Sequence, residues 1–232
     1  YLIPLPPLNE QKRIVSKIEE LFSELDHTKD TLQKVKLQLA QYRQSLLKSA
    51  FEGKLTEEWR ERNMPKLHAD WSDYVSQRKS IEKIAKKNFD NFVTVPDNYC
   101  WVNFKIISNS MKNGIYKEKK FYSEDGIACL RMYNIENNKI VWKKIKRMNL
   151  TSEEIKEFQL LPNDILFNRV NSLELVGKSA LITEGLEDCV YESKNIRLRL
   201  DMKKINPKFV YFWLIIAGSH YFYNNFQQTT GM

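Results

Sequence analysis

Residues 9–53 read NEQKRIVSKIEELFSELDHTKDTLQKVKLQLAQYRQSLLKSAFEG, and this stretch decides the architecture of the chain. No proline or glycine interrupts it before Gly53, so about 43 residues can form one helix, roughly 65 Å long at the α-helical rise. Ile14, Ile18, Leu21, Leu25, Thr28, Leu32, Val35, Leu39, Tyr42 and Leu46 alternate in spacing by four and three. A 3.5-residue period held for more than four heptads keeps one apolar stripe facing one partner, which is the geometry of a coiled coil. Val15 and Phe22 widen the stripe near its start, so that end is expected to meet something bulkier than a single helix.

On the N-terminal side, Ile3-Pro4-Leu5-Pro6-Pro7-Leu8 must be extended, because each proline fixes its own φ and keeps its predecessor out of the helical region. Asn9 is the expected N-cap, with Glu10 at the positive end of the helix dipole. On the C-terminal side, Thr56 is placed to cap a short helix opening with Glu57 and Glu58. Residues 65–88 suit a further helix with Trp71, Tyr74, Ile81 and Ile84 as its apolar contacts. Beyond Thr94 the texture turns to short β-rich runs, 165–167, 179–183 and 190–200, divided by turns at Pro162-Asn163-Asp164 and Glu184-Gly185. Asn206-Pro207 opens a last helix, and the apolar residues from Phe209 to Phe226 are expected to pack on the sheet. The fold class is α+β: a long coiled-coil helix, then a globular mixed α/β domain with a twisted sheet. The expected boundaries are 1–62 for the helical spacer, 63–93 for a helical connector and 94–232 for the globular domain.

The formal charge of +8 is local: residues 105–147 carry eleven Lys or Arg against four Asp or Glu, whereas the first 62 residues balance eleven against ten. Such a surface attracts polyanions, nucleic acid foremost. Cys100, Cys129 and Cys189 are widely spaced with no C-x-x-C pair, so neither a disulfide framework nor a zinc site is indicated. The longest purely apolar run, 209–217, is too short to cross a bilayer and no signal peptide is visible, so a cytoplasmic protein is expected. The opening at Tyr1 in place of Met is expected of a piece of something longer. His27, His68 and His220 are scattered and suggest no triad or metal cluster.

Residues 3–15, IPLPPLNEQKRIV, and 42–56, YRQSLLKSAFEGKLT, fall at the two ends of the seam. They resemble the opening and close of the conserved helical region of specificity subunits from Type I restriction-modification systems. Pro96 and Trp101 resemble the start of a target recognition domain. Residues 161–167, Asn168-Arg169-Val170-Asn171-Ser172 and 176–181 resemble segments within one, and Thr229-Thr230-Gly231-Met232 resembles its close. The resemblance implies half of such a subunit, one helical spacer and one recognition domain, reading one half-site of a bipartite target in double-stranded DNA. It also implies a non-catalytic role, with S-adenosylmethionine held by a separate modification (methyltransferase) subunit, and ATP and Mg by a restriction subunit. This chain then needs no cofactor of its own and no membrane. The seam would pair, antiparallel, with a second copy or with the missing half.

For DNA contact, the basic residues Lys112, Lys117, Lys119, Lys120, Lys143, Lys144 and Lys146 are candidates for phosphates. Asn113, Arg131, Asn134, Asn168, Arg169 and Asn171 are candidates for base edges, since Arg can pair bidentately with guanine and Asn with adenine. Tyr116 and Tyr133 can stack or touch a thymine methyl, although core or cross-strand aromatics are their more ordinary fate. Two alternatives stand beside this reading. One is a coiled-coil scaffold and protein-interaction module with an incidental basic face. The other is a metal-dependent nuclease built on Asp97, Glu118 and Lys120, a loose match to a Pro-Asp then Glu-x-Lys pattern that an ordinary turn at Asp97 explains as well. Glycines never cluster into a cofactor loop, and no Asn/Asp-Pro-Pro-aromatic segment of a DNA methyltransferase is present.

Overall fold

The computed structural model describes residues 2–63, 72–89, 92–97, 99–169 and 177–218, apart from the side chains of 72–78. Trp71, His68, Asn171, the side chain of Tyr74 and everything after Gly218, which includes Phe226 and the closing Thr-Thr-Gly-Met, lie outside the described residues. The chain divides into two compact units, Tyr1–Leu46 and Leu47–Met232.

The first unit is the extended lead-in and most of helix α1 (Leu8–Phe51, 44 residues). The helix begins one residue before the expected cap. The Pro7 carbonyl accepts from the backbone N–H of Glu10 at 2.9 Å and of Gln11 at 3.0 Å, so Asn9 lies inside the first turn. Gln11 then closes the start by donating its amide to the Pro6 carbonyl at 2.8 Å. Every apolar residue of the seam is exposed, from 42% at Val35 to 68% at Tyr42. Thr28 satisfies its hydroxyl within the helix by donating to the Glu24 carbonyl, so the one polar seam position brings no unpaired group to the stripe.

In the second unit α1 ends at Gly53, whose φ of 73° is the left-handed conformation that stops a helix without steric cost. A 3-10 turn (Lys54–Thr56) leads into α2 (Glu57–Asn63), followed by α3 (Ser72–Phe89). Thr56 does not cap α2 through its side chain: its hydroxyl donates to the Gly53 carbonyl and accepts from Arg60. Phe51 is buried beside Phe209 and Trp213, with ring centroids 4.9 and 5.2 Å away, and Phe89 stacks on Trp101 at 5.2 Å. The elements that follow are α4 (Phe104–Ile107), β1 (Ser108–Asn113), β2 (Tyr122–Ser123), β3 (Ile127–Leu130), β4 (Ile135–Glu136), β5 (Lys139–Ile140) and β6 (Lys146–Met148). Then come α5 (Ser152–Phe158), β7 (Ile165–Asn168), β8 (Ser179–Leu181), β9 (Cys189–Tyr191), β10 (Asn195–Leu200) and α6 (Pro207–Trp213), which runs into a π turn at Leu214–Gly218.

Two four-stranded sheets result, ordered β1-β10-β7-β8 and β2-β6-β3-β9, with β4 and β5 as a small hairpin. The run 190–200, read from sequence as one strand, is two strands in different sheets, broken by a turn at 192–194. Side-chain alternation builds two cores from the first sheet. Ile165, Phe167, Leu198 and Leu200 face Val210 and Leu214 at the C-terminal helix. Leu166 and Ala180 face the opposite way, toward Leu130, Cys189 and Tyr191 of the second sheet. The same alternation in β10 turns Arg197 and Arg199 away from Leu198 and Leu200, and each finds oxygen partners. Arg197 donates to the Glu157 and Gln159 carbonyls at the end of α5. Arg199 grips the buried Asp164 carboxylate through Nε at 2.8 Å and Nη2 at 2.7 Å, while the same carboxylate accepts from the Leu161 N–H at 2.8 Å.

Removing a carboxylate from such a pair leaves the cation and an amide donor short of partners. Asp164→Ala is expected to lower the unfolding free energy by about 3 kcal/mol, the low end for a buried pair because Arg199 keeps some contact with solvent, as read from urea denaturation.

Candidate nucleic-acid interface

Antiparallel pairing dominates the described sheets, and β3 with β9 is the exception: Ala128, Cys129 and Leu130 lie in parallel register with Cys189, Val190 and Tyr191. Ile115, just past β1, adds a parallel bridge to Glu192. Three segments therefore run out at one common edge. The Glu192 N–H donates to the Leu130 carbonyl at 3.0 Å, the Ser193 N–H to Ile115 at 2.9 Å and the Ile115 N–H to Tyr191 at 2.9 Å. A fourth segment joins through β7, where the Arg169 N–H donates to the Lys194 carbonyl at 3.0 Å. Gly114 is what lets the backbones close. A Cβ there would sit 2.3 Å from the carbonyl oxygens of Tyr191 and Glu192, inside any permissible contact.

The edge gathers several residues that are far apart in sequence. Tyr116 is 79% exposed and Tyr133 is 41% exposed, so neither takes the core position that is more usual for a tyrosine. Arg131 crosses the Tyr133 ring at 5.0 Å and donates from Nη1 to the Tyr133 hydroxyl at 2.9 Å. Its Nε donates to Glu192 Oε2 at 2.9 Å, and the second oxygen of that buried carboxylate accepts from the Met132 N–H at 3.1 Å. Close by in the bonding pattern, Arg169 reaches the side-chain oxygen of Asn113 at 3.5 Å, a long contact between two exposed groups.

Other candidates lie elsewhere or are engaged. Asn134 is buried: its side-chain oxygen accepts from the Arg131 N–H, and its amide donates to the Val141 and Lys143 carbonyls. It ties the 3-10 turn at Met132–Asn134 to the segment after the hairpin and has no group left for a base edge. Asn168 is fully buried at the end of β7, where its backbone pairs with Gly177 and Lys178, and it too is withdrawn from any ligand. Lys112 pairs with Glu157 and lies 4.9 Å from the centre of the Phe158 ring; Lys117 pairs with Glu154 at 2.5 Å. Hydrogen bonding from Lys117 holds the Glu154 carboxyl below its ordinary range. Lys120 pairs with Glu118 at 2.9 Å, whereas Lys119, Lys143, Lys144 and Lys146 are exposed and, among the described residues, make no ion pair.

Glu192 is the residue that sequence reasoning missed. Inside a supposed continuous strand a glutamate is simply an outward-facing charge; the break into β9 and β10 is what turns it inward beneath Arg131. The capping box that opens α5, in which Thr151 and Glu154 exchange backbone and side-chain hydrogen bonds, also went unread.

The nuclease pattern gains nothing from the fold. Glu118 caps the 3-10 turn that contains Lys120 and the two pair with each other, Asp97 is exposed in a turn, and no group of three His, Cys, Asp or Glu among the described residues could hold a metal ion.

No family model matches the chain. Over 210 residues, 90% of its length, the chain is 30% identical to the Type I restriction enzyme EcoKI specificity subunit of Escherichia coli K12, covering 38% of that protein. It is 24% identical over 217 residues to the EcoBI specificity subunit of Escherichia coli, covering 41% of it. The chain thus spans less than half the length of these relatives. A chain from a solved structure concerned with complex assembly and conformational transition of the type I R-M system superposes with a TM-score of 0.53 at 15% identity, over 93% of this chain and 43% of that one. The likeness extends to the fold.

Cys129 and Cys189 lie on adjacent strands directly behind the edge, and burial pushes each thiol up to about 12. Both are expected to resist maleimide labelling at pH 8 in the folded protein and to react once denaturant is added, as followed by intact mass.

Proposed function

We propose that this chain, similar over nine-tenths of its length to Type I restriction enzyme specificity subunits, is a DNA-reading half of such a subunit. Residues 1–62 serve as the helical spacer, 63–93 as a connector and 94–232 as the target recognition domain. The chain catalyses nothing itself. It directs a modification subunit that supplies S-adenosylmethionine chemistry, and a restriction subunit that uses ATP and Mg, to one half of a bipartite site in double-stranded DNA.

The observation that carries this reading is the convergence of Asn113, Tyr116, Arg131, Tyr133 and Arg169 on one edge of a basic domain whose relatives are specificity subunits. Polar forks and exposed aromatics on a rigid sheet end are the groups that read base edges. Exposed lysines such as Lys119, Lys143, Lys144 and Lys146 suit the phosphates, where each contact releases a counterion. A scaffold with an incidental basic face would have no use for two exposed tyrosines at that edge.

The exposed seam of α1 is the second part of the reading. Its leucines and isoleucines stand uncovered along more than four heptads, and a partner helix of matching period removes them from water at about 25 cal/mol per Å². That partner is a second copy or the other half of the subunit.

Binding to random-sequence duplexes followed by selection tests the function directly. A short preferred sequence is expected, with affinity falling steeply as salt rises; weak binding with no preference would refute the reading. Lys119→Ala should weaken all sequences alike and reduce the salt slope by about one. For the seam, light scattering should give a dimer for the chain alone and a monomer after Leu21, Leu32 and Leu39 are changed to Ser.

A further inference from the structure

The buried side chain beneath the edge assigns one base contact more sharply than its surroundings do. We propose that Arg131 reads a guanine through its two terminal nitrogens, and that Glu192 is the positioning residue that fixes the guanidinium for it; the inference rests on the reading of this domain as a DNA reader.

The geometry leaves Arg131 one task. Its Nε is held by the Glu192 carboxylate at 2.9 Å, and the guanidinium lies over the Tyr133 ring, whose hydroxyl accepts a hydrogen bond from Nη1 at 2.9 Å. Glu192 is itself immobilised, since its other oxygen accepts from the Met132 N–H and its own backbone N–H is bonded to Leu130 across the parallel ladder. The plane, tilt and rotation of the guanidinium are therefore set by the sheet. Among the described residues Nη2 has no hydrogen-bond partner, and the Tyr133 hydroxyl engages one of the two protons on Nη1, so a pair of N–H donors, one on each terminal nitrogen, remains. That pair matches the O6 and N7 acceptors that guanine presents in the major groove.

A phosphate would make little use of this arrangement. A flexible lysine neutralises a phosphate as well, and the neighbourhood holds exposed lysines already, whereas a planar fork locked in orientation is what discriminates one base edge from another. Arg169 offers the contrast. Its contact with Asn113 is 3.5 Å long, both groups are exposed, and among the described residues no other side-chain bond fixes the direction of its fork. Adenine, cytosine and thymine each lack the paired acceptors, so the residue selects against all three.

The preferred duplex from selection on the wild-type chain supplies the substrate, and each of its guanines is replaced in turn by 7-deazaguanine, which keeps pairing and removes N7. One guanine is expected to be sensitive, with affinity falling about tenfold or more. Arg131→Lys retains a cation for Glu192 but loses the fork. It should lose the preference at that same base pair, and the deaza substitution there should cost it nothing further. Glu192→Gln should weaken the preference at the same position and no other, a readout that a purely structural residue would not move. If no guanine in the wild-type site responds to the deaza substitution, or if Arg131→Lys leaves the preference intact at every position, the assignment is wrong although the chain still reads DNA. A wild-type chain with no sequence preference at all would instead overturn the function on which the assignment rests.

Discussion

The parallel pairing of β3 with β9, extended by Ile115 against Glu192, is the constraint on which the rest of the second unit depends. Neighbouring antiparallel strands have their C-terminal ends at opposite edges of a sheet. Strands that run the same way deliver their ends together. Here that brings residues 113–116, 131–133 and 192–194 to one place, with Arg169 drawn in through Lys194. Close approach of the backbones has a steric condition, and Gly114 meets it, because any side chain would collide with the carbonyls of Tyr191 and Glu192. The candidate edge and the fold are consequently one design: the hydrogen bonds that close the sheet also aim its terminal side chains.

Burial divides the polar residues of this domain into those that hold and those that reach. Asp164, Arg197 and Asn134 are withdrawn from solvent and spend their hydrogen bonds on backbone groups or, for Asp164, on Arg199 as well. Glu192 belongs with them by burial, yet its partner is the half-exposed Arg131. A buried carboxylate joined to a residue at the surface transmits the rigidity of the core outward without placing a negative charge at the surface. The first unit follows the opposite rule, since its apolar residues face water and a 44-residue helix with such a stripe gains its stability from whatever covers it.

The sequence made the long helix plain, because a heptad seam free of proline and glycine admits few other readings, and Gly53 marked its end to within two residues. The last helix was equally legible from Asn206-Pro207, where the asparagine side chain does accept from the Lys208 N–H. The sheet was legible in part. Residues 165–167 read as a strand and lie in β7, and of the run 179–183 the strand takes only 179–181, whereas Val190 to Leu200 hid a change of sheet, because the turn at 192–194 carries neither glycine nor proline. Of the candidate contacts, charge and residue type could nominate Arg131, Tyr116 and Tyr133 but could not distinguish them from Asn134 and Asn168. That distinction rests on burial, and burial here is fixed by a parallel pairing between residues some sixty positions apart, which leaves no periodic trace.

The central claim is that DNA lies against this edge of the sheet. Amide hydrogen exchange of the chain, alone and with its preferred duplex, examines it peptide by peptide. The account predicts slowed exchange in peptides covering 113–120, 131–134 and 192–195, with a duplex of scrambled sequence giving a weaker effect at the same places. Protection that fell on other surfaces of residues 94–232 and left these three segments unchanged would contradict it.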